Sequence, residues 1–218
     1  MSFDPTLLLA YWPLMASGLV TTIKVCLMAS LIALPVGLLL AISLLSPIVY
    51  IRIPARIYVE IMRGIPVLVL LFLIYYGGPS IGLTLDPMPA GILGLGFYGA
   101  AFFAEIFRAG FQSIPQGQVE AARMVGLKPH EIIWHIKLPQ MAALIIPSST
   151  NQLIILVKES ALVSVITVSD LTKNATQMAN ETFAVVEPFL FVAFLYWLLI
   201  EGAAQFSRML EKRVKWKS

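Results

Sequence analysis

Five long apolar segments restrict most strongly what this chain can fold into. A bilayer core is about 30 Å thick, so a helical crossing needs about 20 mostly apolar residues. Segments of this kind are predicted at residues 25–45, 56–76, 88–107, 141–157 and 189–206. The composition agrees, because 12% of the residues are charged, against about 25% in soluble domains. The sequence therefore predicts an all-α membrane protein with five transmembrane helices, in which residues 1–218 form a single transmembrane domain.

The distribution of Lys and Arg predicts the orientation, because cytoplasmic loops carry an excess of both. The regions after the first, third and fifth segments are basic, with Arg52 and Arg56; Arg108, Arg123, Lys128 and Lys137; and Arg208, Lys212, Arg213, Lys215 and Lys217. Residues 1–23 and the loop after the second segment contain neither Lys nor Arg. We therefore expect the N-terminus outside and the C-terminus in the cytoplasm. The basic residues form no continuous face, so no nucleic-acid partner is expected.

A polar stretch at residues 112–139 separates the third and fourth segments and is expected to form two short cytoplasmic helices. It fits the pattern E-A-A-x3-G-x9-I-x-L-P at each specified position, with Glu120, Ala121, Ala122, Gly126, Ile136, Leu138 and Pro139. Small alanines permit close helix approach, and Gly126 permits a sharp exit with positive φ. Glu120 supplies a charge for a contact between subunits.

This pattern resembles the cytoplasmic loop of ABC-importer permeases, whose short coupling helix docks in a groove of the ATP-binding subunit. The resemblance implies a coupling role for the seven motif residues and for Leu127. It extends to the polar amino-acid branch of those permeases through GLVTTIKV, YVEIMRGIPVLVLLFLIYYG, FFAEIFRAGFQSIPQGQ and LVKESALVSVITVSDLT. That branch imports arginine, histidine, glutamine, glutamate and similar solutes. The chain departs from the branch at Glu159, where Asp or Asn more often follows the lysine.

The resemblance implies a permease subunit that is not itself an enzyme. No G-x-x-x-x-G-K-[ST] pattern occurs in the chain, so we expect ATP and Mg²⁺ on two copies of a partner ATP-binding subunit and no cofactor here. The other implied partners are an extracytoplasmic solute-binding protein, a second permease copy or a homologous permease, and the bilayer of a bacterial cytoplasmic membrane. His130 and His135 lie outside any cysteine or carboxylate cluster, so no metal site is expected.

Polar groups inside the apolar segments need partners or a cavity. Glu60 with Arg63, and Glu105 with Arg108, are spaced i,i+3, so pairing within one helix is favoured over contact with a substrate. Glu201 is expected to be shallow or paired. Gly94, Gly96 and Gly99 satisfy G-x-G-x-x-G inside an apolar segment, where close helix packing is expected rather than a dinucleotide site.

The fourth segment indicates a solute pathway, because the polar residues 148–152, including Asn151 and Gln152, follow Pro147 at mid-span. Residues 161–168 are too short to cross and are expected to form a half-helix that returns into the protein. Ser160, Ser164 and Thr167 recur at i, i+4 and i+7, so a polar stripe behind Glu159 is predicted to face a cavity.

Glu159 is the strongest candidate for binding a substrate cation. A carboxylate favours arginine, histidine or lysine over acidic solutes by charge complementarity, so these cations are expected as substrates ahead of glutamine or glutamate. The alternative is a solvated loop glutamate paired with Lys158 or Lys173. Two other functions remain open at this point: an ion-coupled secondary amino-acid transporter, which leaves the loop motif unexplained, and a membrane scaffold or sensor that transports nothing.

Overall fold

The computed structural model describes residues 6–215, with the backbone alone for residues 210–215. No strand occurs in that part of the chain. The helices are α1 (Thr6–Ala10), α2 (Trp12–Leu44), α3 (Val49–Gly64), α4 (Val67–Phe72), α5 (Pro87–Gln112), α6 (Gln116–Met124), α7 (Pro129–Ile132), α8 (Leu138–Glu159), α9 (Leu171–Thr182) and α10 (Val186–Lys215). Shorter turns extend them: π-helical at Leu73–Gly77 and Ile133–Lys137, and 3₁₀ at Gly78–Ile81 and Ser160–Ile166.

Four described helical stretches are long and apolar enough to cross a membrane, namely Trp12–Leu44, Pro87–Gln112, Pro129–Ile166 and Val186–Met209. A fifth candidate combines Val49–Gly64 with Val67–Ile81, which meet at an angle of 106°. The predicted all-helical membrane fold is therefore confirmed, with up to five crossings. The orientation stays a prediction, and Lys212, Arg213, Lys215 and Lys217 lie outside the residues whose side chains are described.

The second crossing is not the continuous helix that residues 56–76 predict. Proline has no backbone N–H and disfavours the helical region for the residue before it. Ile65, which precedes Pro66, accordingly has φ −97° and ψ 132°. The chain therefore leaves α3 in an extended conformation, and α3 runs at a steep angle to α4 instead of continuing it.

The first crossing begins at Trp12 rather than at Val25. Its early hydroxyl groups do not end the helix, because Ser17 Oγ donates to the Leu14 carbonyl at 2.7 Å and Thr21 Oγ1 donates to the Ser17 carbonyl at 3.1 Å. These bonds satisfy the hydroxyl groups within the helix itself. The apolar run in the sequence therefore underestimates the length of the helix.

α2 and α5 form the most extensive helix contact of the described chain, and small residues permit it. A Cβ atom at Gly96 would lie 3.0 Å from Ile32 of α2. On another face of α5, one at Gly94 would lie 2.7 Å from the Leu71 side chain of α4. Gly99 is similarly close to α2 and α8. The close packing predicted for these three glycines is confirmed.

α9 begins at a buried carboxylate and docks on the first half of α2. Asp170 Oδ1 accepts a hydrogen bond from the Lys173 N–H at 2.8 Å, which caps the helix. The Leu171 N–H donates to Thr22 Oγ1 of α2 at 3.1 Å. Asn174 Nδ2 donates to a backbone carbonyl of α2 at 2.8 Å. These buried polar contacts fix the position of α9 beside the crossing helices.

Ionisation of Asp170 is expected to make the free energy of unfolding depend on pH. Burial raises the pKa of its carboxyl from 3.8 to about 6, although the amide of Lys173 partly offsets this. A raised folded-state pKa stabilises the fold below about pH 4, and this contribution is lost as the pH rises through about 6. We expect the free energy of unfolding to fall by on the order of 2 kcal/mol across that interval. Asp170→Asn keeps the capping oxygen but cannot ionise. In thermal melts followed by circular dichroism, the variant should therefore lack the fall in stability between about pH 4 and pH 6. An identical pH profile for the two proteins would contradict the assignment.

Candidate functional site

The exit from α6 is a glycine-dependent turn. Gly126 has φ +84°, a conformation that glycine adopts at little cost. Its N–H donates to the Arg123 carbonyl at 3.0 Å, and the Leu127 N–H donates to the Ala122 carbonyl at 3.1 Å. This pair of bonds is the Schellman motif that ends many helices. The sharp exit predicted at Gly126 is confirmed.

The second half of the loop is not a separate short helix. α7 starts after Lys128, whose backbone N–H donates to Glu131 Oε2 at 2.7 Å. It then continues through the π-helical turn Ile133–Lys137 into α8. Pro139 lies in the first turn of α8, and a proline there does not interrupt the helix. The structure therefore confirms one of the two predicted short helices, α6, and joins the other to the fourth crossing.

Most predicted coupling residues are accessible. Glu120, Ala121, Gly126, Leu138 and Pro139 are exposed, Leu127 and Ile136 are half-buried, and Ala122 is buried. Met124 and Val125 were not predicted from the sequence, although their side chains are 88% and 77% exposed at the end of α6. The signal was available, because two apolar residues directly precede the turn glycine in a polar loop. An exposed apolar tip of this kind indicates a protein partner.

The loop is connected to the membrane helices by polar contacts. Gln140 Nε2 of α8 donates to Gln118 Oε1 of α6 at 2.7 Å. A cavity of about 400 Å³ separates α6 from the end of α5, and its lining includes Glu120, Arg123 and Lys137. α6 is therefore connected to α8 both through the chain and through the contact between the two glutamines.

The two predicted intramembrane ion pairs have different outcomes. Arg108 Nη2 lies 2.6 Å from Glu105 Oε2, which confirms that pair. Glu60 does not pair with Arg63, because Glu60 Oε1 lies 3.2 Å from Arg56 Nε. Residues spaced i,i+3 and i,i+4 are both neighbours on a helix, so spacing alone cannot choose between them.

Arg63 contacts an aromatic ring instead of Glu60. Its guanidinium lies 5.5 Å from the centre of the Phe102 ring on α5, a cation–π contact that the sequence of α3 does not reveal. At the far end of the chain, Glu201 Oε1 lies 2.5 Å from Arg208 Nη2. The expected pairing of Glu201 is confirmed.

The polar run in α8 does not break the helix. Ser148 Oγ and Thr150 Oγ1 donate to carbonyls one turn earlier, at 3.1 and 3.0 Å. Asn151 is exposed and Gln152 is 5% exposed, so the two side chains lie on different faces. An exposed amide at membrane depth is unfavourable in lipid. That face of α8 therefore requires a protein partner or water.

The half-helix predicted for residues 161–168 is wrong, because α8 continues directly as the 3₁₀ turn Ser160–Ile166. A 3₁₀ helix has three residues per turn, so every third side chain shares a face. Ser160, Val163 and Ile166 are buried together at 1%, 0% and 0% exposure. The predicted stripe through Ser160, Ser164 and Thr167 therefore does not exist, since Ser160 is buried and Thr167 is exposed.

Glu159 ends α8 as a half-buried carboxylate. Among the described side chains, neither Lys158 nor Lys173 forms an ion pair with it. Tyr98 of α5 lies close enough for the two groups to interact electrostatically. This arrangement is suited to binding a cation.

Residues 33–216 match the family model for the binding-protein-dependent transport system inner membrane component. The chain is 32% identical over 211 residues to the probable amino-acid ABC transporter permease protein YckA of Bacillus subtilis, covering 97% of this chain and 93% of the relative. It is 31% identical over 219 residues to the arginine transport system permease protein ArtQ of the same organism, covering 99% of each.

Two further matches broaden the comparison. The probable glutamine ABC transporter permease protein GlnM of Bacillus subtilis is 40% identical over 158 residues, covering 72% of this chain and 73% of the relative. A crystal structure described as an amino acid ABC transporter with histidines is 35% identical and superposes with a TM-score of 0.91, covering 98% of this chain and 100% of the other. These matches favour an ABC importer over a secondary transporter or a scaffold. The chain therefore belongs to the family of binding-protein-dependent transport system inner membrane components, as the permease subunit of an amino-acid ABC importer.

Proposed function

We propose that this permease imports polar, cationic amino acids, chiefly arginine, histidine and lysine. The observation that carries the proposal is the half-buried Glu159 carboxylate, which has no ion-pair partner among the described side chains and lies within electrostatic range of Tyr98. A carboxylate in that position complements the α-ammonium group of any amino acid and adds affinity for a positive side chain. The similarity to the arginine permease ArtQ supports this specificity, whereas the similarity to GlnM makes glutamine the main competitor.

The pathway is proposed to form between two permease subunits, either identical or homologous. Asn151 is exposed on α8 at membrane depth, and a second copy covering that face would place the amide beside solute or water. Gln152 Nε2 and Ser149 Oγ have no hydrogen-bond partner among the described residues. Glu60 and Glu105, which are already paired with arginines, are proposed to stabilise structure and not to contact the solute.

Two ATP-binding subunits are proposed to dock on the loops of the two permeases. Glu120, Ala121 and Gly126 would meet the partner, with Met124 and Val125 as the apolar anchor. ATP and Mg²⁺ would bind to those subunits, and no cofactor is proposed for this chain. A solute-binding protein would deliver the amino acid at the opposite face of a bacterial cytoplasmic membrane, with the N-terminus outside. Closure of the ATPases would then shift the dimer between outward-open and inward-open states.

Glu159→Gln tests the specificity. In proteoliposomes containing the complete transporter, we expect uptake of labelled arginine to fall about tenfold or more, because an ionic contact is replaced by a neutral one. Glutamine has no charged side chain, so its uptake should fall less. The measurement is initial uptake of both solutes at equal amounts of transporter.

Glu201→Gln is the matched control, because it makes the same change in a carboxylate that pairs with Arg208 on α10. Its uptake of both solutes should stay near that of the wild type. Undiminished arginine uptake by Glu159→Gln would refute the cation site. A wild type that imports glutamine but not arginine would refute the cationic specificity and leave the family assignment intact.

A further inference from the structure

α3 presents an apolar stripe to its surroundings. Ile53, Ile57 and Ile61 recur every four residues and are 49%, 51% and 50% exposed. Side chains at that spacing lie above one another on a helix. The three isoleucines therefore form one exposed face of α3, away from the buried Ala55 and Val59. An exposed apolar stripe on a helix beside membrane crossings is typical of a helix that lies in the bilayer interface.

A basic stripe runs beside the apolar one. Arg52, Arg56 and Arg63 are spaced i, i+4 and i+11, so they share one side of α3. The neighbouring side faces the core through Ala55 and Val59, which are 7% and 2% exposed. The arginines therefore lie between the packed face of α3 and its exposed apolar face.

The basic stripe opens onto a cavity of about 510 Å³ between α3 and the end of α5. Its charged lining consists of Arg52, Arg56, Arg63, Arg108, Glu60 and Glu105. Four positive and two negative charges leave a net charge of +2. Two of the arginines are neutralised, because Arg56 pairs with Glu60 and Arg108 pairs with Glu105.

The remaining two arginines have no carboxylate partner among the described side chains. Arg63 lies over the Phe102 ring, and Arg52 lines the cavity without an ion pair. A guanidinium offers a planar set of N–H donors that matches phosphate oxygens. A cavity with an excess of such donors repels a cationic solute and attracts an anion. It is therefore not part of the proposed solute pathway.

We propose that this cavity binds the phosphate of an anionic phospholipid such as phosphatidylglycerol. Basic pockets at the ends of transmembrane helices are suited to anionic headgroups. The apolar stripe selects a lipid over free phosphate, because acyl chains can lie along Ile53, Ile57 and Ile61 while the phosphate reaches Arg52 and Arg63. Through this site, the position of α3 within the bent second crossing would depend on the lipid composition of the membrane.

The test uses the complete transporter, purified in neutral detergent and depleted of lipid. Phosphatidylglycerol or phosphatidylcholine with identical acyl chains is added, and bound lipid is counted by native mass spectrometry. We expect about tenfold tighter binding of phosphatidylglycerol to the wild type. The double variant Arg52→Gln, Arg63→Gln should lose that preference and keep its binding of phosphatidylcholine, which also shows that it is folded.

Two further variants sharpen the test. Arg208→Gln removes one charge outside the cavity and should retain the preference. Glu60→Gln makes the cavity more positive and should increase it. Equal binding of the two lipids by the wild type would overturn the proposal, as would a preference that persists in the double variant. We expect glycerol phosphate at millimolar concentration not to release the lipid; release would identify free phosphate as the ligand and overturn the lipid assignment.

Discussion

Valine in place of Gly37 is expected to destabilise the folded permease by about 3 kcal/mol. A Cβ atom at Gly37 would lie 2.6 Å from Phe103 Cβ and 3.0 Å from the Ala100 carbonyl oxygen of α5. Neither atom can rotate away, because one is backbone and the other is the first atom of a buried side chain. The two helices would have to separate along their main contact. Cys26 is the single cysteine and is 9% exposed. Its reaction with a thiol-reactive fluorophore during heating therefore measures the loss of this packing.

Gly202→Val provides the matched control for that substitution. Gly202 also lies within a helix, α10, but a Cβ atom there would have no neighbour within 4 Å. Both variants place a β-branched residue in a helix, so they share the cost in helix propensity. Only the Gly37 variant should lower the melting temperature strongly. Equal effects of the two substitutions would contradict the packing argument.

The crossings could be predicted from sequence because a bilayer imposes a length and a composition on each of them. The break in the second crossing was visible only in part. Pro66 is a clear signal for a bend, but the apolar run after it continues the pattern of one helix. How α3 packs after the bend depends on α5, where Arg63 lies over the ring of Phe102, 39 positions further along the chain. Local spacing carries no information about such a partner.

The candidate site also contains some features that local sequence predicts and others that it does not. The turn at Gly126 was predictable because its two hydrogen bonds are made within six residues. The stripe behind Glu159 was not, because Ser160–Ile166 forms a 3₁₀ helix, and a period of three replaces the period of 3.6 used in the prediction. Whether Glu159 forms an ion pair could not be predicted from the sequence either, because the answer depends on where α9 places Lys173. Longer-range packing decides the last two features, whereas the turn at Gly126 is local.

The structure links the loop and Glu159 more directly than the sequence indicates. The helical stretch Pro129–Ile166 contains 38 residues, or about 57 Å of helix, with the loop at one end and Glu159 near the other. A displacement of α6 would therefore act on one end of the helical stretch that contains Glu159, the candidate solute-binding residue. Under the proposed function, the geometry of the turn at Gly126 sets how that displacement is transmitted.

Leucine in place of Gly126 is expected to uncouple ATP hydrolysis from uptake. A residue with a Cβ atom at φ +84° incurs roughly 1–2 kcal/mol of strain. Relief of that strain would break the hydrogen bonds to the Arg123 and Ala122 carbonyls and redirect α6. In proteoliposomes we expect membrane insertion and assembly to persist, while solute imported per ATP hydrolysed falls about tenfold or more. Parallel measurements of phosphate release and labelled amino-acid uptake give this ratio.

Gly126→Asn separates backbone conformation from side-chain size in the same turn. Asparagine is larger than glycine but adopts positive φ more readily than leucine does. This variant should therefore keep most of the coupling that the leucine variant loses. If asparagine and leucine are equally harmful, side-chain bulk at the docking surface is responsible and not the turn. Wild-type coupling in the leucine variant would count against the docking role of this loop, because the positive-φ turn after α6 would then be dispensable.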